Sequence, residues 1–122
     1  MTDSNLTETI CRLPREIQAD RNLSPAAFIT QSGYLGSEGN ITAECLFKAL
    51  RKDAGLVEDW LRWSEDKRTP TGWYFKKSGE CYVVDEVHRF SRLTFADPVQ
   101  ACAEFILREI GDIAETARKI LT

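Results

Sequence analysis

The chain has 122 residues, a length that suits one domain able to bury its own core without metal or disulfide support. Hydrophobic residues make up 43% and charged residues 29%, a balance that excludes a disordered chain. With 16 Lys and Arg against 19 Asp and Glu the net charge is −3, which gives no broad attraction to nucleic acid or anionic membrane and suits a partner that is itself basic.

Residues 1–23 carry Leu6, Ile10, Leu13 and Ile17 at helical steps, interrupted by Pro14. One short or kinked helix, loosely attached, is expected there. Ser24-Pro25 is a helix start, since serine caps and proline fits the first helical position. That helix, PAAFITQS, should stop at Gly33. Residues 34–40, YLGSEGN, read as a loop. Thr42 can cap AECLFKALRK, whose stripe is Leu46, Phe47 and Leu50. A further helix runs from Leu56 to about Asp66, with Val57, Trp60, Leu61 and Ser64 on one side.

The period then changes. Thr69 to Gly72 is turn material. Trp73-Tyr74-Phe75 reads as a first strand, Cys81 to Val87 as a second, and Arg92 to Phe95 as a short third. Ser78-Gly79 is the expected hairpin turn. A two-residue turn would pair Phe75 with Tyr82, and a three-residue turn would pair Tyr74 with Tyr82. Asp97-Pro98 begins the clearest helix, with Gln100 placed as a capping-box partner. Its stripe is Val99, Cys102, Ala103, Ile106, Ile110, Ile113, Ala117 and Ile120, and Gly111 allows a bend. The expected fold is a single α+β domain over 1–122, in the order ααα-βββ-α. A three-stranded antiparallel meander packs against a long C-terminal helix and two to three N-terminal helices.

The chemistry is sparse. No apolar run approaches the ~20 residues of a membrane span, and MTDSNLTETI lacks the pattern of a secretion signal. Cys11, Cys45, Cys81 and Cys102 are scattered with no close pair, so reduced thiols in the cytoplasm are expected and neither metal nor cofactor is. His88 is the one histidine. The pairs Glu58-Asp59, Glu65-Asp66 and Asp85-Glu86 are adjacent in sequence, so their side chains diverge and they are not acid–base dyads. No phosphate-loop, dinucleotide or nucleophile-elbow pattern occurs. The expectation is a protein without catalytic equipment.

Two stretches carry the case for binding. WLRWSEDKR, residues 60–68, ends a helix with Trp60 on the apolar face and Trp63 about 60° off it. Trp63 and Arg68 are candidate interface anchors beside the bland reading of a packed corner. Acids outnumber bases from Ser78 to His88 and again from Asp97 to Glu115. Glu80, Asp85, Glu86, Glu104, Glu109 and Asp112 are therefore candidate contacts for a basic partner, beside the bland reading of solvated faces.

WLRWSEDKRTPTGWYFKKSGECYVV (60–84), FADPVQACAEFILREI (95–110) and SPAAFITQSGYL resemble a group of small bacterial proteins. These in turn resemble immunity proteins encoded beside secreted toxins, including contact-dependent inhibition systems. The resemblance spans residues 24 to 110 and carries no toxin-contacting residue over. It implies an inhibitor that binds and neutralises a cognate, basic toxin domain, a nuclease among the options. The alternative is a non-catalytic regulatory or scaffold module of another bacterial complex.

Overall fold

The computed structural model describes residues 4–66, 72–87 and 91–121. The expected α+β architecture is present. Five α-helices precede the sheet: α1 (Ser4–Cys11), α2 (Leu13–Ala19), α3 (Pro25–Ser32), α4 (Ala43–Lys52) and α5 (Gly55–Glu65). A 3-10 turn at Glu38–Asn40 lies between α3 and α4. Strands β1 (Trp73–Ser78), β2 (Cys81–Glu86) and β3 (Ser91–Phe95) form an antiparallel meander with β2 in the centre. The last element, α6 (Pro98–Leu121), runs unbroken through Gly111.

Residues 4–19 are more firmly held than the sequence suggests. Pro14 splits the segment into α1 and α2 because a proline is tolerated in the first turn of a helix but not within one. Both halves then turn an apolar side inward: Ile10, Cys11 and Leu13 have no exposed surface. The Trp60 indole donates to the Cys11 carbonyl at 2.8 Å, tying the end of α1 to α5.

Caps define the other helices. Ser24 Oγ accepts the Ala27 N–H at 3.1 Å, and Gly33 ends α3 at φ 88°, a left-handed conformation costly for other residues. At α4 the Thr42 hydroxyl accepts the Cys45 N–H at 3.2 Å while the Cys45 thiol accepts the Thr42 N–H at 3.1 Å. This is a capping box with sulfur in the place of a glutamate. Asp97 Oδ1 accepts the Val99 N–H at 2.9 Å at the start of α6.

The hairpin register differs from both expected pairings. Ser78 pairs with Cys81, Lys77 with Tyr82 and Phe75 with Val84. The two loop residues are therefore Gly79 and Glu80, with Gly79 at φ 63°. The glycine belongs at the first loop position because that position needs positive φ. The pairing sends Trp73, Phe75, Tyr82, Val84 and Glu86 to the helix-facing side, and Tyr74, Lys76, Val83 and Asp85 to the other.

Helix α6 packs against α3, α4, α5 and all three strands. Its centre carries Phe105, Ile106, Glu109 and Ile110, all with no exposed surface. An aromatic chain crosses the core there. Trp63 meets Trp60 edge-on with centroids 6.0 Å apart, and Trp60 meets Phe105 at 5.9 Å. Phe105 stacks on Phe75 at 5.7 Å, and Phe75 reaches Tyr82 at 6.1 Å. Ser64 Oγ accepts the Phe75 N–H at 2.7 Å, joining α5 to β1 beside the chain.

Candidate partner-binding groove

The tryptophan-rich corner is mostly interior. Trp60 is fully buried, as its place between Val57 and Ser64 on the inner face of α5 predicts. Trp63, off that face, is half-buried and donates its indole N–H to Glu109 Oε2 at 2.9 Å. Trp73 carries the Arg108 guanidinium over its ring at 5.3 Å. Arg108 also pairs with Glu104 one turn earlier on α6. Arg108 and Glu109 of α6 are thus taken up by the corner itself. Arg68 and His88 lie outside the described residues.

The acidic candidates do not form one surface. Glu109 has no exposed surface and Glu86 only 6%, so both are interior groups and neither can line an acidic patch. Burial follows from the pleat for Glu86, which shares the helix-facing side with Phe75 and Val84. It follows from the helical turn for Glu109, which lies beside Phe105 and Ile106 on the inner side of α6. Asp85 faces away from α6, bonded to Lys76 at 3.2 Å and opposite Arg92 on β3. Glu104 is occupied by Arg108. Asp112 is half-buried, and Glu80 is exposed at the hairpin turn.

What the fold builds instead is a groove. Pro14, Ile17 and Gln18 line it from α2 at i, i+3, i+4 spacing, continued by Arg21 just past the helix end. Asp59, Arg62 and Trp63 line it from α5 at i, i+3, i+4, with Glu65 and Asp66 at the helix end. Leu23, Ser24 and Pro25 close one end at the start of α3. Its volume is about 1120 Å³. Each wall is a single helical face, because residues at these spacings stack along one side. Pro14, Ile17, Leu23, Pro25 and Trp63 give an apolar floor, and charges stand on the rim.

The rim charges are unevenly satisfied. Arg15 bonds Asp59 at 2.5 Å and Asp53 at 2.9 Å. Hydrogen bonding to Arg15 holds the Asp53 carboxyl below its usual range and the arginine above its own. Arg15 thus shares its one positive charge between Asp59, inside the groove, and Asp53 beside it. Arg21, Arg62 and Glu65 make no ion pair among the described residues. Comparison with known protein families, with curated proteins and with solved structures finds no match. The groove is therefore read from its own residues.

Sequence reasoning found Trp63 but missed the groove, since α2 and α5 meet only through the fold. The two spacings were readable, whereas their facing each other was not. It also passed over Cys45. The helix α4 N-terminus and the donors Thr42 N–H and Thr7 Oγ1, the latter at 3.6 Å, surround its sulfur. Burial acts to raise this thiol's pKa, but those hydrogen bonds outweigh it and leave the thiol below its ordinary value. Burial pushes Cys11 up to about 12 and Cys102 well above normal. All four cysteines are free. Among the described residues no three His, Cys, Asp or Glu are placed to hold a metal. No described helix is long and apolar enough to cross a membrane.

Proposed function

We propose that this chain is a protein-binding inhibitor of the immunity type, which occludes a toxin domain inside the bacterial cytoplasm. The observation that carries the reading is the groove between α2 and α5, with an apolar floor, a half-buried tryptophan and a charged rim. An apolar centre within a polar border is the anatomy of a protein interface, and tryptophan and arginine are its commonest energetic anchors. The resemblance of residues 24–110 to immunity-like proteins supplies the class of partner. The net charge of −3 acts at longer range. It favours encounter with a basic domain, as toxin nucleases are, while the groove governs the contact itself.

The test is co-expression of the adjacent reading frame with this chain, followed by copurification and a growth-protection assay. Gln18→Trp fills the groove from an exposed position and leaves the core untouched. Capture and protection by the wild type, lost in Gln18→Trp with an unchanged circular dichroism spectrum, is the expected result. Capture undiminished by Gln18→Trp would move the interface elsewhere on the protein. Absence of both capture and protection in the wild type would refute the immunity reading.

A further inference from the structure

Resting on the groove as the partner-binding face, we infer that Glu109, although fully buried, is a positioning residue for partner binding: it sets the Trp63 ring in the groove wall. Trp63 lines the groove from α5 and is half-buried. Two contacts hold it from behind. Its ring meets Trp60 edge-on with centroids 6.0 Å apart, and its indole N–H donates to Glu109 Oε2 at 2.9 Å. The first is an apolar contact, compatible with more than one ring orientation because the outer torsion of a tryptophan side chain is broad. The second selects one. With the N–H edge drawn inward to α6, the apolar remainder of the ring is left to form the groove surface.

The chemistry of the site argues that Glu109 does more than fill space. It has no exposed surface and lies beside Phe105, Ile106 and Ile110 on α6, where a carboxyl must exchange its water for protein hydrogen bonds. Methionine, of similar length and adaptable, would fill the same site without that desolvation. A half-buried indole in the wall of an open groove can take water as its partner. The fold instead reaches across forty-six positions to bring a buried acceptor to this ring. What the acceptor adds is a fixed orientation. An aromatic anchor already held in place loses less freedom when a partner docks than one that must first be ordered. Trp60 is fixed in the same way, its N–H donating to the Cys11 carbonyl at 2.8 Å, so the two rings stand as a preset wall.

The experiment follows the tryptophan indole N–H signals by heteronuclear NMR in the wild type, Glu109→Gln, Glu109→Met and Trp63→Phe, the last assigning the Trp63 signal by its absence. Exchange of the Trp63 indole proton with solvent should be slow in the wild type and in Glu109→Gln, which keeps an acceptor oxygen. It should be about 10-fold or more faster in Glu109→Met. The Trp60 indole, bonded to the Cys11 carbonyl, should stay slow throughout, which separates a freed Trp63 ring from global opening. Affinity for the product of the adjacent reading frame should fall about 2- to 10-fold in Glu109→Met, the loss expected when one side chain must be ordered on docking, and should be kept in Glu109→Gln. Glu109 has a further interaction of its own, so the double variant isolates the pair: Trp63→Phe should weaken binding less in Glu109→Met than in the wild type. A Trp63 proton that exchanges no faster in Glu109→Met, or an affinity unchanged while the ring is freed, overturns the positioning role. Absence of capture by the wild type refutes the inhibitor reading and the binding role with it. The exchange measurement needs no partner and still shows whether Glu109 holds the ring, so the two failures are distinct.

Discussion

Replacing Trp63 by Phe tests whether the tryptophan-rich corner is a tether as well as a groove wall. The indole N–H of Trp63 reaches Glu109 Oε2 at 2.9 Å, at a residue with no exposed surface. Phenylalanine keeps a ring edge near Trp60, whose centroid is 6.0 Å away, but supplies no donor. Removing a donor from a buried polar group costs ~1–3 kcal/mol. For 122 residues the unfolding entropy is about 0.26 kcal/mol/K, so a loss of ~2 kcal/mol lowers Tm by about 8 °C. Glu109→Met should be costly alone, since it leaves the indole N–H facing an apolar site. In the Trp63→Phe background the same change should cost less than it does alone, because both partners have then been removed. Urea unfolding followed by far-UV circular dichroism measures all four proteins without relying on tryptophan fluorescence. Additivity of the two changes within ~0.5 kcal/mol would refute the tether, since residues that interact do not add.

Four further outcomes follow from the same geometry. Ile106→Ala should cost ~2–5 kcal/mol in chemical denaturation, as the side chain has no exposed surface on the inner face of α6. Gly79→Ala should cost ~1–2 kcal/mol from its positive φ of 63° alone, because a Cβ there meets nothing within 4 Å. Of Cys11, Cys45 and Cys102, Cys45 should be alkylated first at neutral pH, read by mass mapping after a short pulse of iodoacetamide, because its thiol alone is lowered and is not fully buried. Cys11 keeps its proton in the folded state up to about 12 against 9.0 unfolded. Its contribution to stability is therefore full below pH 9 and should be lost progressively between pH 9 and 12, an alkaline loss that Cys11→Ala reduces.

The local elements were legible where one residue type decides the backbone. Ser24-Pro25, Gly33 and Thr42 announced their helix ends, Ser24 and Thr42 through the hydrogen bonds their hydroxyls accept and Gly33 through the positive φ that the lack of a Cβ allows. The stripe of α6 was legible from Val99 to Ala117, where seven apolar residues repeat at 3.6 spacing, whereas Ile120, which continues the pattern, is 71% exposed. The hairpin register was not, because Ser78-Gly79 and Gly79-Glu80 both offer a glycine to the turn. What decides between them is the cross-strand set. Only the second choice sets Phe75 opposite Val84 and Lys77 opposite Tyr82. The firm seating of residues 4–19 was hidden for a similar reason. Pro14 looked like damage to one helix and is the first turn of another, and that is visible only once α1 packs on α4 and α2 on α3 and α5.

The candidate site was harder to read for a reason that lies in how charge is organised in a folded chain. Counting acids along a segment assumes that sequence neighbours share a surface. On β2, Asp85 and Glu86 are adjacent and point to opposite faces: one is answered by Lys76 and stands opposite Arg92, and the other is drawn under the helices. On α6, Glu104 and Glu109 are five residues apart and separate in the same way, the first toward Arg108 and the second toward Trp63. The groups that meet these acids come from neighbouring strands, from α5 and, for Glu104, from one turn further along α6 itself, so a local excess of acid in the sequence does not become one acidic surface in space. The converse holds at the groove. Arg21 and Arg62 sit in unremarkable mixed-charge stretches, forty-one positions apart by their numbering, and the fold sets them on facing walls over an apolar floor with no carboxylate taken up by either among the described residues. Charges that the fold leaves unanswered, rather than charges that the sequence concentrates, are the ones available to a partner.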